Sequence, residues 1–169
     1  YDVAIQGKGF FTVTLPNGDT AYSRAGSFQL SPTGNIVTAD GYAVGPDITI
    51  PPNAISVTIN SSGEVLATIQ GQVAPQNVGQ FALVNFANEA GMEPLGDNLH
   101  LETPASGQPV ESTPGAVGFG TLLQGFLETS NVNVVQEITN LITAQRAYEM
   151  NSKVIEASDE MMQALNQIR

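Results

Sequence analysis

Few residues in this chain have the type and spacing for chemistry. Gly7–Lys8–Gly9 has the beginning of a phosphate-cradling loop, in which glycines let backbone amides approach an anion. No third glycine follows in register and no helix can start there, so the expected role is a glycine-permitted bend between strands. His100 is the only histidine, and the chain has no cysteine, so a zinc site is not expected and thiolate chemistry is excluded. Its place between Leu99 and Leu101 implies a side chain pointing outward from an edge strand. Glu89, Glu93 and Asp97 gather acids without the spacing of a calcium loop and read as a solvated acidic loop. Serines are frequent, yet Gly-x-Ser-x-Gly is absent and His100 is the sole candidate base. Asn60–Ser61–Ser62 fits the glycosylation acceptor pattern, but a turn explains it equally. Tyr148 falls in an apolar column and is expected to pack. No catalytic residue, metal site or cofactor is expected, and the chain reads as a non-enzyme.

The 169 residues carry a net charge of −11, with charged residues only 12% of the total. Eleven acids against Lys8 and Arg24 leave residues 1–133 at −9; five acids against Arg146, Lys153 and Arg169 leave residues 134–169 at −2. Such a body repels phosphate backbones and anionic headgroups, so nucleic-acid binding and direct membrane insertion are not expected. No apolar run approaches the roughly 18 residues of a membrane span. A signal peptide at Tyr1 is not expected. The abrupt start in Val3–Ala4–Ile5 suggests a further N-terminal portion.

Turn signals divide the first part into short strands. Asn17–Gly18, Asp40–Gly41 and Ser61–Ser62–Gly63 each separate β-prone runs, and Val78–Phe86 is the longest strand candidate. Their spacing predicts a mainly β fold, an antiparallel sandwich or barrel-like body over residues 1–103. Residues 104–133, rich in Gly and Pro and poor in charge, read as an extended connector.

Residues 134–169 contain no Gly or Pro and predict one long amphipathic helix, coiled-coil-like, with Ser130, Asn131 or Asn133 as N-cap. One apolar column is Val134, Ile138, Leu141, Tyr148, Ile155 and Met162. A second is Ala147, Val154, Met161 and Ile168, with Ala144 and Leu165 beside it. Gln145, Ser152 and Asp159 interrupt the seam, so it is not a clean zipper. Such a helix would span about 54 Å, whereas a β body of this size has a radius of gyration near 13 Å. The helix therefore carries more apolar surface than its own body can cover. It needs partner helices, and these residues are the expected subunit interface.

Four segments carry a resemblance. Gln124–Gly125–Phe126–Leu127–Glu128–Thr129–Ser130–Asn131–Val132–Asn133 and Ala144–Gln145–Arg146–Ala147–Tyr148–Glu149–Met150–Asn151–Ser152–Lys153 resemble C-terminal motifs of bacterial flagellar rod and hook axial proteins. Ala4–Ile5–Gln6–Gly7–Lys8–Gly9–Phe10–Phe11 and Tyr22–Ser23–Arg24–Ala25–Gly26–Ser27–Phe28 resemble that family's N-terminal strand motifs, in the right order. Gly125, Leu127, Glu128, Ser130, Asn131, Val132, Gln145, Arg146 and Asn151 are the C-terminal motif positions. Glu102–Gly107 and Asn131–Val132–Asn133 are most similar to the distal-rod branch.

The resemblance implies a structural subunit of the basal body. Copies would polymerise helically, with the C-terminal helix in the inner layer beside an N-terminal helix and the β body outside. Implied partners are further copies, the proximal rod and hook proteins, and the outer-membrane and peptidoglycan rings. Implied export is through the flagellar type III apparatus, without a cleaved signal peptide, to the rod crossing the periplasm. The alternatives are a hook or proximal rod protein of the same family, or a secreted carbohydrate-binding β domain.

Overall fold

The computed structural model describes residues 1–72 and 74–167. The chain opens with β1 (Val3–Gln6), β2 (Phe11–Thr14), β3 (Thr20–Ser23), β4 (Phe28–Leu30), β5 (Ile36–Thr38) and β6 (Ala43–Gly45). There follow β7 (Ala54–Ile59), β8 (Glu64–Ile69), β9 (Gln76–Gln80), β10 (Leu83–Asn85), β11 (Glu93–Gly96), β12 (Leu99–Leu101), β13 (Val110–Ser112) and β14 (Thr121–Gln124). A short 3-10 turn at Glu89–Gly91 separates β10 from β11, and α1 (Val134–Gln167) closes the chain. Residues 1–128 form one compact unit and residues from 129 onward a second.

The expected β-rich body with a C-terminal helix is what the chain forms. All strand pairs are antiparallel. The largest sheet has the order β11-β12-β3-β2-β6-β5-β4; beside it lie β7-β8-β9 and the pairs β1-β14 and β10-β13. Among the described residues the sheets are open rather than closed into a barrel.

Period-two alternation drives the layering. Phe11 and Val13 of β2 are buried while Thr12 and Thr14 face away; Val65, Ala67 and Ile69 of β8 are buried against Glu64, Leu66 and Thr68. The main core joins Val3, Ile5, Phe11, Phe28, Phe81, Leu83 and Leu122. Phe11 meets Phe28 edge-on at 5.0 Å between ring centroids, and Phe28 stacks on Phe81 at 5.8 Å.

The three expected hairpin turns form. In the first, Gly18 adopts φ +88° and its N–H donates to the Leu15 carbonyl at 2.9 Å, so glycine supplies the left-handed residue. In the third, Asn60 Oδ1 accepts from Ser62 Oγ at 2.9 Å and from the Glu64 N–H at 2.9 Å. Asn60 Nδ2 donates to Glu64 Oε2 at 2.6 Å, which commits the amide to the turn.

Several expectations change. Val78–Phe86 is divided between β9 and β10; between them the Phe81 N–H donates to the Gly63 carbonyl at 2.8 Å and the ring enters the core. The run Ile48–Ile50 forms only a bridge from Thr49 to Asn35, and Ala43–Gly45 is the strand instead. Residues 104–128 fold into the body although their composition suggests a connector. β13 pairs with β10, β14 pairs with β1, and Leu122 is buried in the main core. Their glycines allow close packing: a Cβ on Gly120 would sit 2.7 Å from the Gln6 carbonyl oxygen.

His100 is also corrected. It lies on β12, which is flanked by β11 and β3, and its partner across the sheet is Tyr22. Cross-strand partners share a face, so the ring is carried toward Phe10, at 6.3 Å between centroids, beside the apolar cluster of Phe10, Tyr22, Val84, Phe86 and Met92. Its Nδ1 is buried with no hydrogen-bond partner.

Candidate assembly surface

The surface begins where the chain leaves the body. Gln124 ends β14 and turns its side-chain amide toward β7. Its Nε2 donates to the Val57 carbonyl at 3.1 Å, and its Oε1 accepts from the Ile59 N–H at 2.8 Å. One side chain thus imitates a strand peptide and satisfies two groups on the edge of β7. Gly125 follows with φ +79°, and its N–H donates to the Asp2 carbonyl at 2.8 Å.

Glu128 is the last residue of the body unit, and its Oε2 accepts from Arg24 Nε at 2.8 Å. Arg24 Nη1 donates to the carbonyls of Gly7 at 3.0 Å and Gly9 at 3.2 Å, and Nη2 to that of Ile5 at 3.3 Å. The Gly7–Lys8–Gly9 bend is therefore a set of carbonyls aimed at a guanidinium, the opposite polarity to a phosphate cradle. Gly7 at φ +116° and Gly9 at φ +136° hold the conformation.

Asn133 is the N-cap of α1. Its Oδ1 accepts from the N–H groups of Val135 at 3.1 Å and Gln136 at 3.3 Å, and Glu137 places a negative charge in the first turn. Ser130 is not the cap; its Oγ accepts from the Val132 N–H at 3.2 Å. Thirty-four residues extend α1 over about 51 Å.

Val134, Ile138, Leu141, Ala144, Ala147, Tyr148, Val154, Ile155, Met161 and Met162 all lie on α1 and are exposed, Tyr148 by 79%. Leu165 lies on the same helix, and Ile168 lies outside the described residues. Val132, Val134, Ile138, Leu141 and Ala144 line a shallow apolar hollow at the start of the row. The motif positions Gln145, Arg146 and Asn151 also stand exposed on α1, as Leu127, Asn131 and Val132 do before it.

Three large apolar residues fall outside both expected columns. Val135, Ile142 and Met150 are exposed by 73%, 44% and 66%. Successive residues on a helix are about 100° apart, so Val135 and Ile142 lie on one flank of the Val134 column and Ala147, Val154 and Met161 on the other. The seven-residue recurrence from Val135 to Ile142 is the signal that could have revealed them. Apolar side chains on several faces suit a helix with more than one neighbour, whereas a simple two-stranded zipper needs a single narrow seam.

A further polar cluster of the body surrounds Tyr22 and the adjacent loop, and among the described residues it holds no group of His, Asp or Glu that could bind a metal ion. Tyr22 Oη lies 3.5 Å from Glu102 Oε2. Burial, and then the carboxylates of Glu102 and Glu111, push the phenol pKa above its usual value. Thr103 and Ser106 close the adjacent loop: Ser106 is fully buried, its Oγ donating to the Thr103 carbonyl at 2.8 Å and accepting from the Thr103 N–H at 3.0 Å.

Comparison with known proteins places this arrangement. The family model for the flagellar hook protein FlgE/F/G D1 domain matches residues 4–67, and that for the flagellar basal body rod FlgEFG protein C-terminal region matches residues 123–168. The flagellar basal-body rod protein FlgG of Caulobacter vibrioides is 58% identical over 168 residues, 99% of this chain and 64% of the relative. That of Buchnera aphidicola (subspecies Schizaphis graminum) is 55% identical over 167 residues, again 99% and 64%. The flagellar hook protein FlgE of Salmonella typhimurium is 35% identical over 153 residues, 90% of this chain and 38% of the relative. The chain thus spans 64% of the length of these rod relatives. With both ends of the sequence matched by rod and hook models and nearly all of it aligned to rod proteins, the chain belongs to the flagellar hook and basal-body rod protein family.

Proposed function

We propose that this chain is the body and C-terminal helix of a distal rod subunit, a structural protein that polymerises helically into the straight shaft carrying torque to the hook. The observation that carries the reading is α1 itself: a long capped helix with exposed apolar residues on several faces, joined to a β body with its own complete core. Buried apolar side chains are worth about 1.5–3 kcal/mol each, so a row of ten is a strong drive to associate. A heterologous contact of this kind that does not close on itself extends into a helical polymer. The identities, 58% to a rod protein and 35% to a hook protein, favour rod over hook.

In this reading α1 forms the inner layer beside helices from other copies and from the rest of its own protein, and residues 1–128 form the outer layer. The proximal rod and the hook flank the polymer along its axis. The rings of the outer membrane and cell wall surround it, and the acidic body faces them. Delivery is by the flagellar type III apparatus.

The test is Leu141→Asp combined with Ile155→Asp in the full-length protein. The substitutions should leave the melting temperature of the body unchanged, abolish rod polymer in basal bodies viewed by electron microscopy, and stop assembly before the hook. Normal rods in that variant would overturn the reading. A complete rod lacking only its hook would reassign the chain to the hook.

A further inference from the structure

We propose that Arg24 and Glu128 form a releasable clasp that sets the length of the tether between the β body and α1. The inference concerns a single chain and stands apart from the rod reading.

Glu128 is the only hydrogen-bonded attachment of residues 126–129 to the body among the described residues. The last backbone contact before it is the Gly125 N–H on Asp2, and the next hydrogen bond is the local one from Val132 to Ser130. Phe126 and Leu127, between the two anchors, are exposed by 62% and 50%, so only partial apolar burial resists their release. The ion pair is itself open to water, with side-chain exposures of 30% for Arg24 and 48% for Glu128. Pairs of this kind are weak and sensitive to salt.

The two partners are unequal. Arg24 also donates to the carbonyls of Ile5, Gly7 and Gly9, bonds that do not involve Glu128, and its guanidinium lies 6.0 Å from the Phe10 ring centroid. Opening therefore frees the strap and leaves the loop intact. With the clasp closed, the tether is residues 129–133, five in all, ahead of Val134. With it open, the free chain begins at Phe126 and has eight. The end-to-end spread of a flexible segment grows with the square root of its length, so it rises by a factor of about 1.3 on opening. The closed clasp restricts where α1 can lie and the open one widens that range.

The chain has no cysteine, so two introduced ones are unique labelling sites. Spin labels on Asp40→Cys and Glu149→Cys, both exposed, report the body-to-helix distance distribution in the full chain. At low salt, Glu128→Ala should broaden that distribution. Half-molar sodium chloride should broaden the wild type to match it while leaving Glu128→Ala unchanged, and the body's melting temperature should stay the same in both proteins. Identical low-salt distributions, or equal salt broadening of both proteins, would overturn the clasp. A drop of many degrees in the body's melting temperature with Glu128→Ala would also overturn it, by making Glu128 a structural part of the core.

Discussion

The side-chain amide of Gln124 sits on the edge of β7 as a strand peptide would, donating to the Val57 carbonyl at 3.1 Å while its oxygen takes the Ile59 N–H at 2.8 Å. The contact joins the β1-β14 pair to the three-stranded sheet with no additional strand. Gln124→Leu keeps the volume and removes both bonds, leaving two part-buried backbone groups unpaired. The expected loss is about 1–3 kcal/mol in urea unfolding of the body. A change inside the roughly ±0.5 kcal/mol of an ordinary surface substitution would show that the amide carries no stability.

Gly26 is required for a different reason. A Cβ there would lie 1.6 Å from the Val3 carbonyl oxygen, a position closed by backbone. Gly26→Ala should cost more than about 4 kcal/mol or prevent folding, whereas Gly41→Ala, with nothing within 4 Å but φ +89°, should cost only about 1 kcal/mol. Circular dichroism melts of both variants decide it, and equal melting temperatures would contradict the argument.

His100 leaves a buried Nδ1 without a partner. His100→Phe keeps a ring beside Phe10 and removes the unsatisfied atom, so stability should rise by about 1 kcal/mol. A fall in the urea midpoint would mean that the imidazole makes a compensating interaction.

Tyr22 gives a pH dependence with a definite sign. Its pKa is raised in the folded state by burial and by Glu102 and Glu111. The folded chain thus holds the phenol proton more tightly than the unfolded chain. This contribution to stability is intact below the unfolded value of about 10 and is lost as pH rises through the folded value. Melts between about pH 8 and 11.5 should show a steeper alkaline decline for wild type than for Tyr22→Phe. Parallel declines would remove Tyr22 as the cause.

The sequence alone settled what is local or repeated. The turn residues at Asn17–Gly18 and Ser61–Ser62–Gly63 specify hairpins because their conformations depend on the residues themselves, and the absence of Gly and Pro from residues 134–169 specifies α1 for the same reason. The apolar columns on that helix were legible, and so was the resemblance carried by the motifs at both ends. Other features required the tertiary structure, because they depend on residues far apart in the chain. Residues 104–128 have the composition of a linker, yet they are body because β1 and β10 offer them unpaired edges. The ring of His100 turns toward the Phe10 cluster because its cross-strand partner, Tyr22, shares that face. Arg24 is separated from Glu128 by 104 positions and Val57 from Gln124 by 67. Periodicity cannot reach across such separations, and these pairings within the body became visible only when the sheets brought them together.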